Sequence, residues 1–152
     1  MTKINPIEKS LWVPLPPAQA FVLFTEKLET WWPVETHSLS AGQKSRPQAM
    51  VFEPRLGGQI TETLPDGTVS NWAEVMVWNP PHSFELAWHV GRDRAQASRV
   101  KVAFRAENAG TQLHLLHDGF DALGAEAAES AENYRNGWVG VLARYEAATK
   151  PH

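Results

Sequence analysis

The stretch AEAAESAENYRNGWVGVLARYEAA, residues 125–148, decides the fold. Tyr134, Trp138, Val141, Leu142 and Tyr145 recur in it at spacings of three and four, which places them on one face of an α-helix. Glu132, Arg135, Asn136 and Arg144 fall mostly on the other side. Gly137 and Gly140 each cost about 1 kcal/mol in a helix interior, so their presence points to close packing against a sheet. The Ala/Glu run from Ala125 to Glu132 reads as a solvated helix start.

Strand-like segments precede this helix. Ile7 to Val13 is a first strand, stopped by Pro14, Pro16 and Pro17. Proline suits a first helical turn, and Phe21, Phe24 and Leu28 follow on one helix face. Trp31-Trp32-Pro33 ends that helix, because the residue before proline is pushed out of the helical region. Residues 34–48 read as loop. Met50–Glu53, Gln59–Leu64, Val69–Trp78, Ser83–Val90, Ser98–Ala106 and Thr111–Asp118 then read as strands. Pro65-Asp66-Gly67-Thr68, Asn79-Pro80-Pro81 and Asn108-Ala109-Gly110 are turns between them. Consecutive hairpins make the sheet antiparallel with one buried face.

The turns also predict which side chains face inward. A Pro65–Thr68 turn pairs Leu64 with Val69, Glu62 with Asn71 and Ile60 with Ala73. A Pro80-Pro81 turn pairs Val77 with Phe84, Val75 with Leu86 and Ala73 with Trp88. Paired residues share a face, so these point inward together, joined by Val102, Phe104, Leu113, Leu115 and His117. The opposite face then carries Trp72, Glu74, Met76 and Trp78. A one-residue bulge in a strand would reverse its faces.

Composition narrows the function. The 152 residues carry a formal charge of −3 and 43% hydrophobic residues, which fits one globular domain over residues 1–152. No basic run is present to neutralise phosphates, so no nucleic-acid partner is expected. The chain has no cysteine, which excludes disulfide and thiolate chemistry. No apolar signal core and no run of about 18 apolar residues occurs, so the expectation is a cytoplasmic protein with no membrane span. Seven tryptophans are many for this length and call for a large core, a pocket or an interface.

Several pieces in order carry a family resemblance. They are Trp31-Trp32-Pro33-Val34-Glu35-Thr36-His37-Ser38, Val51-Phe52-Glu53-Pro54-Arg55-Leu56-Gly57-Gly58, Asp66-Gly67, Trp78-Asn79-Pro80-Pro81-His82, Leu113-His114-Leu115-Leu116-His117-Asp118-Gly119-Phe120 and Gly137-Trp138. Together they resemble the SRPBCC/START-like superfamily, in the branch named after the heat-shock protein 90 ATPase activator. The resemblance implies an α+β helix-grip fold: a curved antiparallel sheet of six to seven strands around a long C-terminal helix, with one or two short helices after strand 1. It implies a ligand-sized cavity and no shared catalytic set. A lipocalin-type barrel is the rival fold, but its helix does not usually follow the first strand directly.

The inward set is apolar except for Glu62, Asn71 and His117, with Tyr134 added from the helix. A few polar groups in an apolar concavity are what small-molecule sites look like. The leading expectation is a binding module for a hydrophobic or amphipathic molecule. In it Glu62, Asn71, His117 and Tyr134 orient the ligand, and Trp88, Phe104, Leu115 and Trp138 contact its body. The opposing reading has these polar groups satisfying one another. A second function is an enzyme of cyclase, dehydratase or hydrolase type using Glu62 and His117 in acid–base work. A third is a protein-interaction or chaperone-related regulator. A homodimer through the outer tryptophan face, at Trp72, Met76 and Trp78, is the partner expectation. No cofactor is expected. No metal is expected either, because His114 and His117 point to opposite faces and His37, His82 and His89 lie in loops or outside. Gly57-Gly58 lacks the lysine and helix of a phosphate loop and reads as a tight entry into a strand.

Overall fold

The computed structural model describes residues 4–150; Met1, Thr2 and Lys3, read above for a signal core, lie outside them. The order is β1 (Ile7–Val13), α1 (Pro17–Phe24), β2 (Ala49–Phe52), β3 (Gln59–Thr63), β4 (Val69–Asn79), β5 (Ser83–Trp88), β6 (Ser98–Glu107), β7 (Gly110–Asp118) and α2 (Ala127–Ala148). The seven strands form one antiparallel sheet in the order β1-β7-β6-β5-β4-β3-β2. Each hairpin neighbour is the next strand in sequence, and β1 closes onto β7. This is the helix-grip architecture, with α1 after the first strand and α2 arriving last. The helix expected to run on to Trp31-Trp32 ends earlier, at Phe24, and a 3-10 turn spans Leu28–Thr30. The loop expected over residues 34–48 contains a 3-10 turn, Ser40–Gln43. No described helix is long and apolar enough to cross a membrane.

The register of β4 differs from the expectation at both ends and agrees in the middle. Ile60 faces Ala73, Ala73 faces Trp88 and Val75 faces Leu86, as predicted. At the first turn, however, Leu64 N donates to Thr68 O at 2.8 Å, and Val69 pairs with Thr63 rather than Leu64. Glu62 therefore faces Ser70, not Asn71. A bulge then inserts Trp72 before Ala73, and a second inserts Met76 between Val75 and Val77. Each bulge puts two residues opposite one and exchanges the faces beyond it. Trp72 (1% exposed) and the partly buried Trp78 consequently point into the protein, while Val77 turns outward. The outer tryptophan face expected for a homodimer is not formed. Of Trp72, Met76 and Trp78, only Met76 remains outside, where the Arg94 guanidinium covers its sulfur at 3.4 Å.

The interior divides into two halves. Beneath α1, Phe21 packs on Trp78, Phe84 and Phe104 with ring centroids 5.1, 5.7 and 5.2 Å apart. Phe24 contacts Tyr145 of α2 at 5.0 Å, and the Tyr145 hydroxyl donates to Ala20 O at 2.7 Å. Burying each such side chain contributes about 1.5–3 kcal/mol, and this half is filled. The other half, under the middle of α2, is walled by tryptophan and left partly open.

In α2, Trp138, Val141, Leu142 and Tyr145 are buried at the predicted helical spacing; Ala127 and Ala131, expected in a solvated helix start, are buried as well, because they continue the same face toward the N-terminus. Gly137 and Gly140 face the His37 ring rather than the sheet. A Cβ would stand 3.6 Å from His37 Nε2 at Gly137 and 3.9 Å from its Cε1 at Gly140. Those are ordinary contact distances, so helix propensity decides the outcome. Gly140→Ala is expected to stabilise the protein by about 0.5–1 kcal/mol. A urea midpoint that falls instead would show the His37 contact to be tighter than this geometry.

Candidate functional site

Between β4, β5, the 32–39 segment and α2 lies a cavity of about 280 Å³. Trp32, Trp72, Trp88 and Trp138 form its apolar walls, with Val90 and Val141 beside them. Their ring centroids are 5.5–6.1 Å apart: Trp32–Trp72 at 5.5, Trp88–Trp138 at 5.8 and Trp32–Trp138 at 6.1 Å. Thr36, His37, Ser38, Asn133 and Tyr134 supply the polar atoms of the lining. No lysine, arginine, aspartate or glutamate contributes to it.

Of the residues predicted to line the site, Trp88, Tyr134 and Trp138 do so. Phe104 sits in the filled phenylalanine half, against Phe21, Phe24 and Phe84, and Leu115 is buried on the neighbouring strand. Asn71, displaced by the first bulge, is half-buried and accepts from Ala73 N at 3.1 Å. Glu62 and His117 are fully buried but stand behind the walls.

Glu62 holds the rim of the cavity. Its carboxylate accepts from Leu39 N at 2.9 Å, Ser40 N at 2.8 Å, Trp72 Nε1 at 3.1 Å and the Ser40 hydroxyl. All four acceptor positions of a carboxylate are used. Glu62 thereby fixes both the loop carrying Thr36–Leu39 and the indole plane of Trp72. The loop is further tied by Trp32 Nε1 donating to His37 O at 2.7 Å, and by Arg144 of α2 donating to Glu35.

His117 plays the same part on the opposite wall. Trp138 Nε1 donates to its Nδ1 at 3.0 Å. That leaves the proton on Nε2, which donates to the Ser98 hydroxyl at 2.7 Å. The hydroxyl in turn reaches Trp88 O at 3.4 Å. Phe120 and Tyr134 close over the ring at centroid distances of 4.6 and 4.8 Å. Burial pushes His117 down to about 3, with the charge of Asp118 opposing weakly; the ring is neutral and has both nitrogens engaged. Three strands separate β7 from β3, so Glu62 and His117 are not a catalytic pair. The satisfied-polar reading describes both residues.

Tyr134 remains in the wall as a polar group. Burial raises its pKa, and the nearby Trp88 N–H and Arg92 charge offset part of the rise. It is therefore a neutral hydroxyl. Although the Trp88 N–H lies close to that hydroxyl, its Nε1 is buried and makes no hydrogen bond of good geometry. His89, expected in a loop or outside, is buried, with Nδ1 3.3 Å from Arg92 O. Among the described residues no three His, Asp or Glu side chains cluster as a metal site would require.

Sequence reasoning missed Trp32, Thr36, His37, Ser38 and Asn133 as lining residues, and placed Trp72 on the wrong face. The Trp31–Ser38 string was visible as a motif, but a loop has no periodicity from which to read its direction.

The sequence profile of the Activator of Hsp90 ATPase homolog 1-like protein family matches residues 14–149. No curated protein matches significantly. Among solved structures, the Aha1 dimer from Colwellia psychrerythraea superposes with a TM-score of 0.69 at 11% identity, covering 96% of each chain. Bacillus halodurans protein BH1534 gives 0.68 at 17% identity, covering 99% of this chain and all of that one (100%). The anthrahydroquino-gamma-pyrone synthase Txn09 gives 0.60 at 26% identity, covering 97% of this chain and 89% of that one.

Proposed function

The chain belongs to the Activator of Hsp90 ATPase homolog 1-like family, and we propose that it binds a hydrophobic or amphipathic small molecule in the cavity beneath α2. The observation that carries this reading is the cavity itself, walled by four indoles and edged by a few polar groups. A concavity of that composition is the usual form of a small-molecule site. Its walls are also held in place by dedicated buried partners, Glu62 for Trp72 and His117 for Trp138. Such support is what keeps a binding geometry fixed before the ligand arrives.

Native mass spectrometry of protein purified from its own host, set against the denatured mass, tests the reading. A stoichiometric additional mass is expected. A bare mass, together with tryptophan emission unchanged on titration with aromatic and aliphatic compounds, would sink it.

A second reading is a small-molecule enzyme. The likeness to the anthrahydroquino-gamma-pyrone synthase Txn09 favours it. In this reading the base is His37, since Glu62 and His117 are fully engaged in the scaffold. His37 lines the cavity with Thr36 Oγ1 2.7 Å from its Nδ1, which leaves Nε2 toward α2. Turnover of an aromatic substrate that His37→Asn abolishes, with binding retained, would favour this reading over simple carriage.

A further inference from the structure

The four indoles around the cavity all turn their N–H edges into the protein. Trp32 Nε1 donates to His37 O, Trp72 Nε1 to Glu62 and Trp138 Nε1 to His117, while the buried Trp88 Nε1 is directed at the Tyr134 hydroxyl oxygen. What the indoles leave to the cavity is ring carbon, whose π faces carry negative potential. Hydroxyls of the lining are engaged as well. Thr36 Oγ1 pairs with His37 Nδ1 at 2.7 Å, and Ser38 Oγ donates to Val34 O at 2.6 Å and accepts from Ala41 N at 3.0 Å. These walls suit a ligand that needs few hydrogen bonds and is attracted to π surface.

Glu62 gives the sign of the charge. It stands directly behind the wall, bonded to Trp72 and Leu39, both of which line the cavity. Its donors are two backbone amides, a hydroxyl and an indole, all neutral. The arginines near the rim are matched by other carboxylates: Arg92, beside Tyr134, by Glu126 at 2.6 Å, and Arg144 by Glu35. An indole that donates to a carboxylate is polarised by it, which enriches the ring in electrons. In a poorly screened interior the carboxylate charge also reaches past the ring. A cation is therefore favoured inside the cavity and an anion repelled. An ordinary ammonium would leave its N–H groups there without acceptors. A quaternary ammonium has no N–H, and aromatic faces hold it well.

Size limits the remainder of the molecule. At an interior packing density of about 0.75, a cavity of about 280 Å³ encloses roughly 210 Å³ of ligand, on the order of a dozen non-hydrogen atoms. That accommodates a trimethylammonium head with a short body and not a lipid chain.

Resting on the cavity-binding reading, we infer that the ligand is a small quaternary ammonium compound, its head held against the indoles of Trp32, Trp72, Trp88 and Trp138 and drawn by the Glu62 carboxylate behind them.

Titration calorimetry on the full chain with choline, 3,3-dimethylbutan-1-ol and 3,3-dimethylbutanoate tests this. The alcohol has the shape of choline with carbon in place of the charged nitrogen, and the carboxylate reverses the charge. Choline is expected to bind about tenfold more tightly than the alcohol, the gain of a desolvated cation over aromatic faces, and the carboxylate most weakly. Trp88→Phe keeps an aromatic ring with a weaker face; Glu62→Gln removes the charge and keeps the volume. Each should lower the choline-to-alcohol affinity ratio several-fold. A cavity merely loosened by either substitution would weaken both probes together and leave the ratio unchanged. Alcohol binding as tight as choline, carboxylate binding tighter than either, or a ratio that survives both variants overturns this inference and leaves the cavity-binding reading standing. If none of the three binds, the quaternary ammonium inference falls, and the native mass of host-purified protein decides the cavity-binding reading by itself.

Discussion

Lowering the pH from 7 to 4 is expected to remove about 3 kcal/mol of stability through His117 alone, at about 1.4 kcal/mol per pH unit for a single proton. The sign follows from where the proton binds. In the unfolded chain His117 takes up a proton near its ordinary value of 6.5; in the fold, burial holds it down to about 3. Between those values the unfolded state binds one proton more than the native state. Its contribution is therefore fully present above pH 6.5, is lost as pH falls through the window, and stops changing below about 3. The reason is geometric: protonating Nδ1 would set an N–H against the Trp138 N–H that now donates to it. Urea unfolding at pH 7, 6, 5 and 4 measures the slope, and His117→Gln supplies the comparison. Glutamine can still accept from Trp138 and donate to Ser98, but it does not titrate. The difference between the two stability curves should grow with acid by the one-proton slope and close toward neutrality. Parallel curves would mean that His117 is protonated as easily inside the protein as outside.

How far the sequence reaches is clearest in β4. Alternation and turn residues located all seven strands and both helices, because periodic burial is written into spacing. The middle of each β4 hairpin was also legible: Ile60–Ala73 and Val75–Leu86 pair as the alternation requires. The ends were not. Each turn contains one residue more or fewer than the simple reading gives it, and a bulge at Trp72 or Met76 restores the register. A bulge residue carries no compositional mark, so two compensating shifts leave the centre right and the flanks reversed. The cost fell on the site, since Trp72 and Asn71 exchanged roles. Glu62 and His117 were found as inward polar groups, but not their purpose. The partners of Glu62 are backbone N–H groups at Leu39 and Ser40, which any sequence would provide. The partner of His117 is Trp138, which reads from the sequence as a ligand contact.

Glu62→Ala is expected to destabilise the protein by about 3–5 kcal/mol, because hydrogen bonds to an ionised group are worth about 1.5–3 kcal/mol each and four donors converge on this one. Some of the four will find water as the loop relaxes, which keeps the loss below their sum. For a domain of this length that is roughly a 10 °C fall in Tm. By contrast, truncating the exposed partner of a surface pair, Glu74 opposite Arg94 at 3.2 Å, should cost at most about 1 kcal/mol. The two variants differ in kind as well as size. Glu62 joins the loop bearing Thr36–Leu39 to the Trp72 indole, so its loss should open one rim of the cavity while the phenylalanine half stays packed. Hydrogen exchange distinguishes this from general loosening: the Leu39 and Ser40 amides should exchange faster by a larger factor than amides of β6 and β7. Glu62→Gln, which keeps the volume but presents an NH₂ to donors, should show the same local pattern with a smaller Tm loss. If Leu39 and Ser40 stay protected in Glu62→Ala, the loop is held by Trp32 and by the Glu35–Arg144 pair instead. The buried carboxylate would then serve only Trp72, and the cavity would have one fixed wall and an independently fixed rim.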